Sequence, residues 1–179
     1  MRPKYLFICV ASLCMFVLVQ NAAANSSSGP CDLLPGLRNE ISEKYPQMHV
    51  VSLADLNADD RELFQKDHDG RCPGLVEVDF YGDGKPTWAL ALTAVEGPKT
   101  TTKLVVARQL STRWETVLLE ATDGPPPVIW KQAAGKYHDV YGDKTVRAMH
   151  QVIVFCGYNS WAVLYSWSGV EVKKIWLKD

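Results

Sequence analysis

At Gly74 the spacing of apolar residues changes from helical to alternating, and this switch limits the fold more than any other feature of the chain. Ahead of it, "CDLLPGLRNEISEKYP" places Leu33, Leu34, Leu37 and Ile41 along one side of a helix that must end before Pro46. "MHVVSL" reads as a short strand. "LNADDRELFQKDHDG" follows as a second short helix, with Asn57 or Asp59 at its N-cap, Leu63 and Phe64 on its apolar side, and Gly70 past its end. Beyond Gly74, stretches at 75–81, 87–94, 103–110, 113–120, 128–131, 145–155, 161–167 and 170–177 read as strands. The links "GDG", "ST", "GYNS" and "SG" are short, so sequential strands should pair antiparallel, whereas "DGPPP" and "AAGKYHDVYGD" are long. The expected fold is α+β: N-terminal short helices followed by one curved antiparallel β-meander sheet.

The first residues address the chain for export. Arg2 and Lys4 precede an apolar run from Tyr5 to Val19, and Ala22 and Ala24 give the small-residue pattern of a signal-peptide cleavage site. That run falls short of the ~20 residues of a membrane span. Residues 1–24 are therefore read as a signal peptide, 25–30 ("NSSSGP") as a flexible leader, and 31–179 as a single α+β domain. No later stretch is apolar enough to span a bilayer, so a secreted or periplasmic chain is expected. Of 19 basic and 20 acidic residues, cleavage removes Arg2, Lys4 and no acid. The balance becomes more acidic, which argues against a nucleic-acid partner.

Cleavage also removes Cys9 and Cys14, leaving Cys31, Cys72 and Cys156 for an oxidising compartment. Their spacing fits no zinc pattern. Cys31 in "GPCD" and Cys72 in "RCPG" lie in loop-like, proline-bearing surroundings, while Cys156 ends the strand-like "QVIVFC". The favoured bridge is Cys31–Cys72, with Cys156 buried as a small hydrophobe, and Cys72–Cys156 is the rival. A loop of that length is worth roughly 4 kcal/mol in the chain-entropy description.

The turn "DFYGDG" offers two registers. A two-residue Asp83-Gly84 turn mixes polar and apolar groups on each face. A three-residue Gly82-Asp83-Gly84 loop, with Gly84 at positive φ, puts Val78 opposite Trp88 and Val76 opposite Leu90 and gives one apolar face. Asp79, Phe80, Gly82, Asp83 and Gly84 also resemble one FG-GAP-type unit, the calcium loop of integrin-like propellers, whose core reads D-F-x-G-D-G-x-x-D. That resemblance implies calcium at Asp79 and Asp83. Tyr81 and Thr87 stand where the third- and ninth-position ligands belong, so the turn is expected to work without an ion and no cofactor is expected. "DLNADDREL" supplies Asp55, Asn57 and Asp59 as half of an EF-hand-like loop. Asp60 replaces the glycine and Lys66 the closing Glu, so it reads as an acidic helix N-terminus.

Chemistry-bearing residues are sparse. His138 followed by Asp139 is raw material for acid–base work, yet neighbours on a strand point to opposite faces. Ser160 in "GYNSWA" lacks the setting of a nucleophile elbow. Aromatics crowd the second half. A two-residue Ser168-Gly169 turn would set Trp161 opposite Trp176 and Tyr165 opposite Val172, as sheet-stabilising pairs. The loops "GKYHDVYGD" and "GYNSW" are expected to expose Tyr137, His138, Tyr141, Tyr158 and Asn159 as a recognition surface for a protein or glycan.

"CPGLVEVDFYGDGKPTWALAL", "FCGYNSWAVLYSWSG" and "KKIWLKD" together resemble small secreted bacterial proteins, a resemblance that implies export and brings no site residues with it. The favoured function is a secreted or periplasmic non-catalytic binding module, an envelope accessory or inhibitor-like protein. The alternatives are a small periplasmic hydrolase using His138 and Asp139, and a calcium-stabilised structural module. N-terminal sequencing of the exported chain is expected to begin at Asn25; a sequence beginning at Met1 would refute the signal-peptide reading.

Overall fold

The computed structural model describes residues 29–142, 144–158 and 160–178. The expected signal peptide and most of the leader lie outside the described residues, as does Asn159 of the expected recognition surface. The elements run α1 (Pro35–Lys44), β1 (His49–Val50), α2 (Ala58–His68), β2 (Leu75–Val78), β3 (Thr87–Glu96), β4 (Lys99–Leu110) and β5 (Arg113–Asp123). Then come β6 (Val128–Gln132), β7 (Gly135–His138), β8 (Thr145–Ala148), β9 (Val152–Gly157), β10 (Trp161–Trp167) and β11 (Val172–Lys178). Among the described residues antiparallel β structure dominates, with two helices. The pattern at Ala58–His68 is capped as expected, since the Asn57 side chain accepts the Asp60 N–H at 2.9 Å.

The strands form two sheets and a ribbon, not one meander. The first sheet has the order β1-β3-β4-β5 with β2 also on β3, the second β11-β10-β9-β6, and β7 pairs with β8. The meander breaks after β5 because Pro125, Pro126 and Pro127 carry no N–H for a ladder. When the chain resumes as β6 it pairs with β9. Nor do the helices form an N-terminal block: β1 lies between them and belongs to the first sheet. The stretch 145–155 divides into β8 and β9, and β7 falls inside the segment read as a long loop.

Three consecutive residues join these parts. β1 and β2 lie end to end along the same edge of β3, meeting at Ala91. There Val51 N–H donates to Ala91 O at 2.9 Å, and Ala91 N–H donates to Gly74 O at 2.9 Å. The two backbones are so close that a Cβ on Gly74 would sit 2.5 Å from Val51 O. Pro73 O accepts Ile129 N–H of β6 at 2.8 Å, which reaches the second sheet. Cys72 is bridged to Cys31, with Cα atoms 5.0 Å apart, and so fastens the approach to α1. The favoured pairing therefore holds, and Cys156 is buried in β9.

The first sheet is covered on both faces. Leu90, Leu92, Val105 and Ala107 pack with Leu37 and Ile41 of α1. Ala89, Ala91, Leu104 and Val106 join Ile129, Ile153, Phe155 and Val163 of the second sheet. This explains the nearly unbroken apolar runs in β3 and β4. It also corrects the β2–β3 register: Val78 pairs with Thr87, Val76 with Ala89, Glu77 with Trp88 and Leu75 with Leu90. A single clean apolar face is the wrong criterion for a strand buried on both sides, and the link between β2 and β3 is longer than three residues. In the second sheet, Trp130 stacks on His68 of α2 at 5.0 Å, and His68 on Phe64 at 4.9 Å. Burial pulls the His68 imidazole below its ordinary value.

Adding a methyl group at Gly74, just before β2, forces its backbone away from that of Val51. Gly74→Ala is expected to cost at least about 2 kcal/mol in urea denaturation. At Gly97, where a Cβ meets nothing within 4 Å, the cost should be only that of the positive φ, about 1 kcal/mol. Equal losses at the two positions would contradict the close approach.

Candidate functional site

Register in the second sheet determines which aromatics meet. β10 and β11 pair as Val163 with Trp176, Tyr165 with Lys174 and Trp167 with Val172. The two-residue turn is therefore wrong. Ser168 holds a longer one: its N–H and Oγ donate to Glu171 O at 3.0 and 2.8 Å, and its Oγ accepts Glu171 N–H at 3.1 Å. Trp161 and Trp176 consequently sit diagonally, with ring centroids 6.5 Å apart and planes at 71°. Trp161 also meets the Phe155 ring edge to face at 5.2 Å, and Tyr141 meets Trp176 at 5.7 Å.

Trp161 lines two neighbouring cavities. One, of about 230 Å³, lies where β5 of the first sheet faces β10 and β11, and is lined by Glu120, Trp161, Tyr165, Lys174 and Trp176 among others. The second, of about 440 Å³, is bounded by the N-terminus of α2, Pro125, Pro126, Tyr158 and Trp161. The prolines that end the first sheet thus form a wall of the larger cavity.

Glu120 joins the two sheets at this cleft. Its Oε2 accepts from Tyr165 Oη at 2.7 Å and from Lys174 Nζ, while Oε1 accepts Ala121 N–H at 3.3 Å. Burial by itself would raise the Glu120 carboxyl. The hydrogen bonds from Lys174 and Tyr165 outweigh it and hold the group below its ordinary value. Burial, followed by the bond to Glu120, pushes the Tyr165 hydroxyl upward. Lys174 Nζ also lies 5.2 Å from the Trp176 ring centre. The cleft therefore offers an acceptor and a donor beside two indole surfaces.

The expected recognition residues divide. Tyr158 lines the larger cavity and Tyr141 stands against Trp176. Burial first, then the nearby Asp67 carboxylate, pushes the Tyr158 hydroxyl up to about 12; its Oη is buried and has no hydrogen-bond partner among the described residues. Tyr137 packs against the core and donates to Ala133 O at 2.5 Å. His138 Nδ1 and Thr145 Oγ1 are 2.9 Å apart, across the β7–β8 ribbon. The Asp139 carboxylate accepts Tyr141 N–H at 2.9 Å, so His138 and Asp139 serve different partners. Trp161, Trp176, Glu120 and Lys174 were not recognisable as site residues from sequence. The two tryptophans read as sheet pairs, and Glu120 and Lys174 meet only across sheets.

Asp79 and Asp83 are occupied in the turn itself. Asp79 Oδ1 accepts Gly82 N–H at 3.0 Å, and Asp83 Oδ1 accepts Lys85 N–H at 3.0 Å. Asp79 N–H donates to Gln151 Oε1 at 2.9 Å. Asp55 likewise accepts Ser52 N–H and Oγ, both at 2.8 Å, with His49 Nε2 2.9 Å away. No family model, curated protein or solved structure matches the chain.

The glycines of the turn differ in their demands. Gly82 and Gly84 have φ of 70° and 71°, and a Cβ on Gly82 would lie 2.1 Å from the His150 ring, whereas one on Gly84 meets nothing. Gly84→Ala is expected to cost about 1 kcal/mol, and Gly82→Ala clearly more, by thermal or urea denaturation. The reverse order would contradict the packing of His150 on the turn.

Proposed function

We propose that the chain is a secreted or periplasmic binding module that recognises a protein or glycan at the cleft around Trp161 and Trp176. The observation carrying this reading is the place of Trp161, which lines both cavities. Rigid aromatics beside a few charged groups make a surface suited to recognition. The Cys31–Cys72 bridge supports an oxidising compartment. Among the described residues no helix is long and apolar enough to cross a membrane. A hydrolase built on His138 and Asp139 is the weaker reading, because these side chains turn to Thr145 and to Tyr141 N–H.

The recognition surface differs from the sequence expectation in its centre. Tyr158 and Tyr141 remain at its margins, while Tyr137 and His138 belong to the ribbon. Affinity capture from an envelope extract tests this with the wild type, Trp161→Ala and Lys136→Ala, the last an exposed residue of the ribbon. A partner held by the wild type and Lys136→Ala but lost by a folded Trp161→Ala is the expected result. Equal retention by all three would move recognition away from the cleft.

A further inference from the structure

We infer that the ligand of this cleft is a neutral oligosaccharide, its sugar rings lying against Trp161 and Trp176. The inference rests on the cleft being the recognition site. Size is the first argument. The smaller cavity, about 230 Å³, lies below the ~300–1,000 Å³ of sites that enclose a drug-sized molecule. It takes one ring-sized group. The neighbouring cavity of about 440 Å³ shares Trp161 with it, and two spaces on one indole suit a chain of ring-sized units better than one compact molecule.

Chemistry is the second argument. A sugar ring presents apolar C–H faces and a rim of hydroxyls that both donate and accept. Trp161 and Trp176 offer aromatic surface for the faces. Glu120 keeps acceptor capacity on Oε1, which takes only a 3.3 Å backbone bond, and Lys174 has three N–H donors of which one is committed to Glu120. Charge-assisted bonds from such groups are the stronger kind. Trp161 is also held in place, since its indole lies across Gly157, where a Cβ would meet Nε1 at 3.0 Å. A platform fixed before binding spares the ligand the cost of ordering it.

Charge narrows the class. Among the described residues, Asp59, Asp60 and Glu120 border the two cavities against one ammonium, that of Lys174. An acidic glycan would meet this excess of carboxylates, whereas a neutral one meets no penalty.

The test is a titration with neutral tetrasaccharides of glucose, mannose and N-acetylglucosamine, and with tetragalacturonate as the acidic counterpart. Tryptophan emission and the indole N–H resonances are the readouts. At least one neutral tetramer is expected to bind at millimolar concentration or below. It should shift the Trp161 and Trp176 resonances and leave those of Trp88 and Trp114, which pack with the α1 side of the first sheet. Trp161→Ala should weaken binding about tenfold or more, and tetragalacturonate should bind far more weakly. The wild-type resonances decide the matter even if Trp161→Ala fails to fold. No neutral tetramer binding, shifts confined to Trp88 and Trp114, or equal binding of the uronate would each overturn the inference. If no glycan binds yet a protein partner still depends on Trp161, the ligand class falls and the recognition site stands. If a glycan binds without involving Trp161, both fall.

Discussion

The run Cys72-Pro73-Gly74 is the constraint on which the rest of the structure depends. Three adjacent residues fasten three different parts: a disulfide to the segment before α1, a backbone bond to β6 and a backbone bond to β3. Each alone is modest, since a single hydrogen bond contributes about 1 kcal/mol net. Their adjacency matters more. A shift of one residue in this run would slip β2 against β3 and break the register of the second sheet at Ile129. Gly74 is required because no side chain fits between its backbone and that of Val51.

From this junction the cleft follows. Fixing β6 beside Pro73 sets where β9, β10 and β11 lie, because they pair in series. Their register then brings Tyr165 and Lys174 to Glu120 of β5, and Trp161 to the wall made by Pro125 and Pro126. The Glu120 contacts bridge the two sheets through partners 45 and 54 positions away in sequence. A partly buried carboxylate with two such donors is costly to leave unpaired, so it specifies how the sheets meet. The candidate site is thus a consequence of sheet packing, with loops contributing its rim.

What could be read from the sequence was local. Helical spacing around Leu37, the Asn57 cap, the antiparallel pairing of β3 with β4 and the Cys31–Cys72 pairing all express short-range chemistry or the setting of single residues. The division into two sheets is visible in the sequence only as "DGPPP", whose prolines suggest a long link and in fact end a ladder. The β2–β3 register failed because its criterion assumed one buried face, whereas Val76 and Val78 face the second sheet and Leu75 faces α1. The cleft was less legible still. Glu120, Lys174 and Trp161 are unremarkable in sequence and acquire meaning only when the sheets come together, whereas Tyr137 and His138, conspicuous in sequence, satisfy local partners.

Amide hydrogen exchange at Val51, Ala91 and Ile129 tests this account most directly, because these three N–H groups report the junction from the residue after β1, from β3 and from β6. If the Cys72–Gly74 run joins the sheets, all three exchange only through the same cooperative opening, and reducing the disulfide lowers their protection together. Ile129 keeping its protection while Val51 and Ala91 lose theirs would show that the second sheet stands without the junction, and would contradict the account.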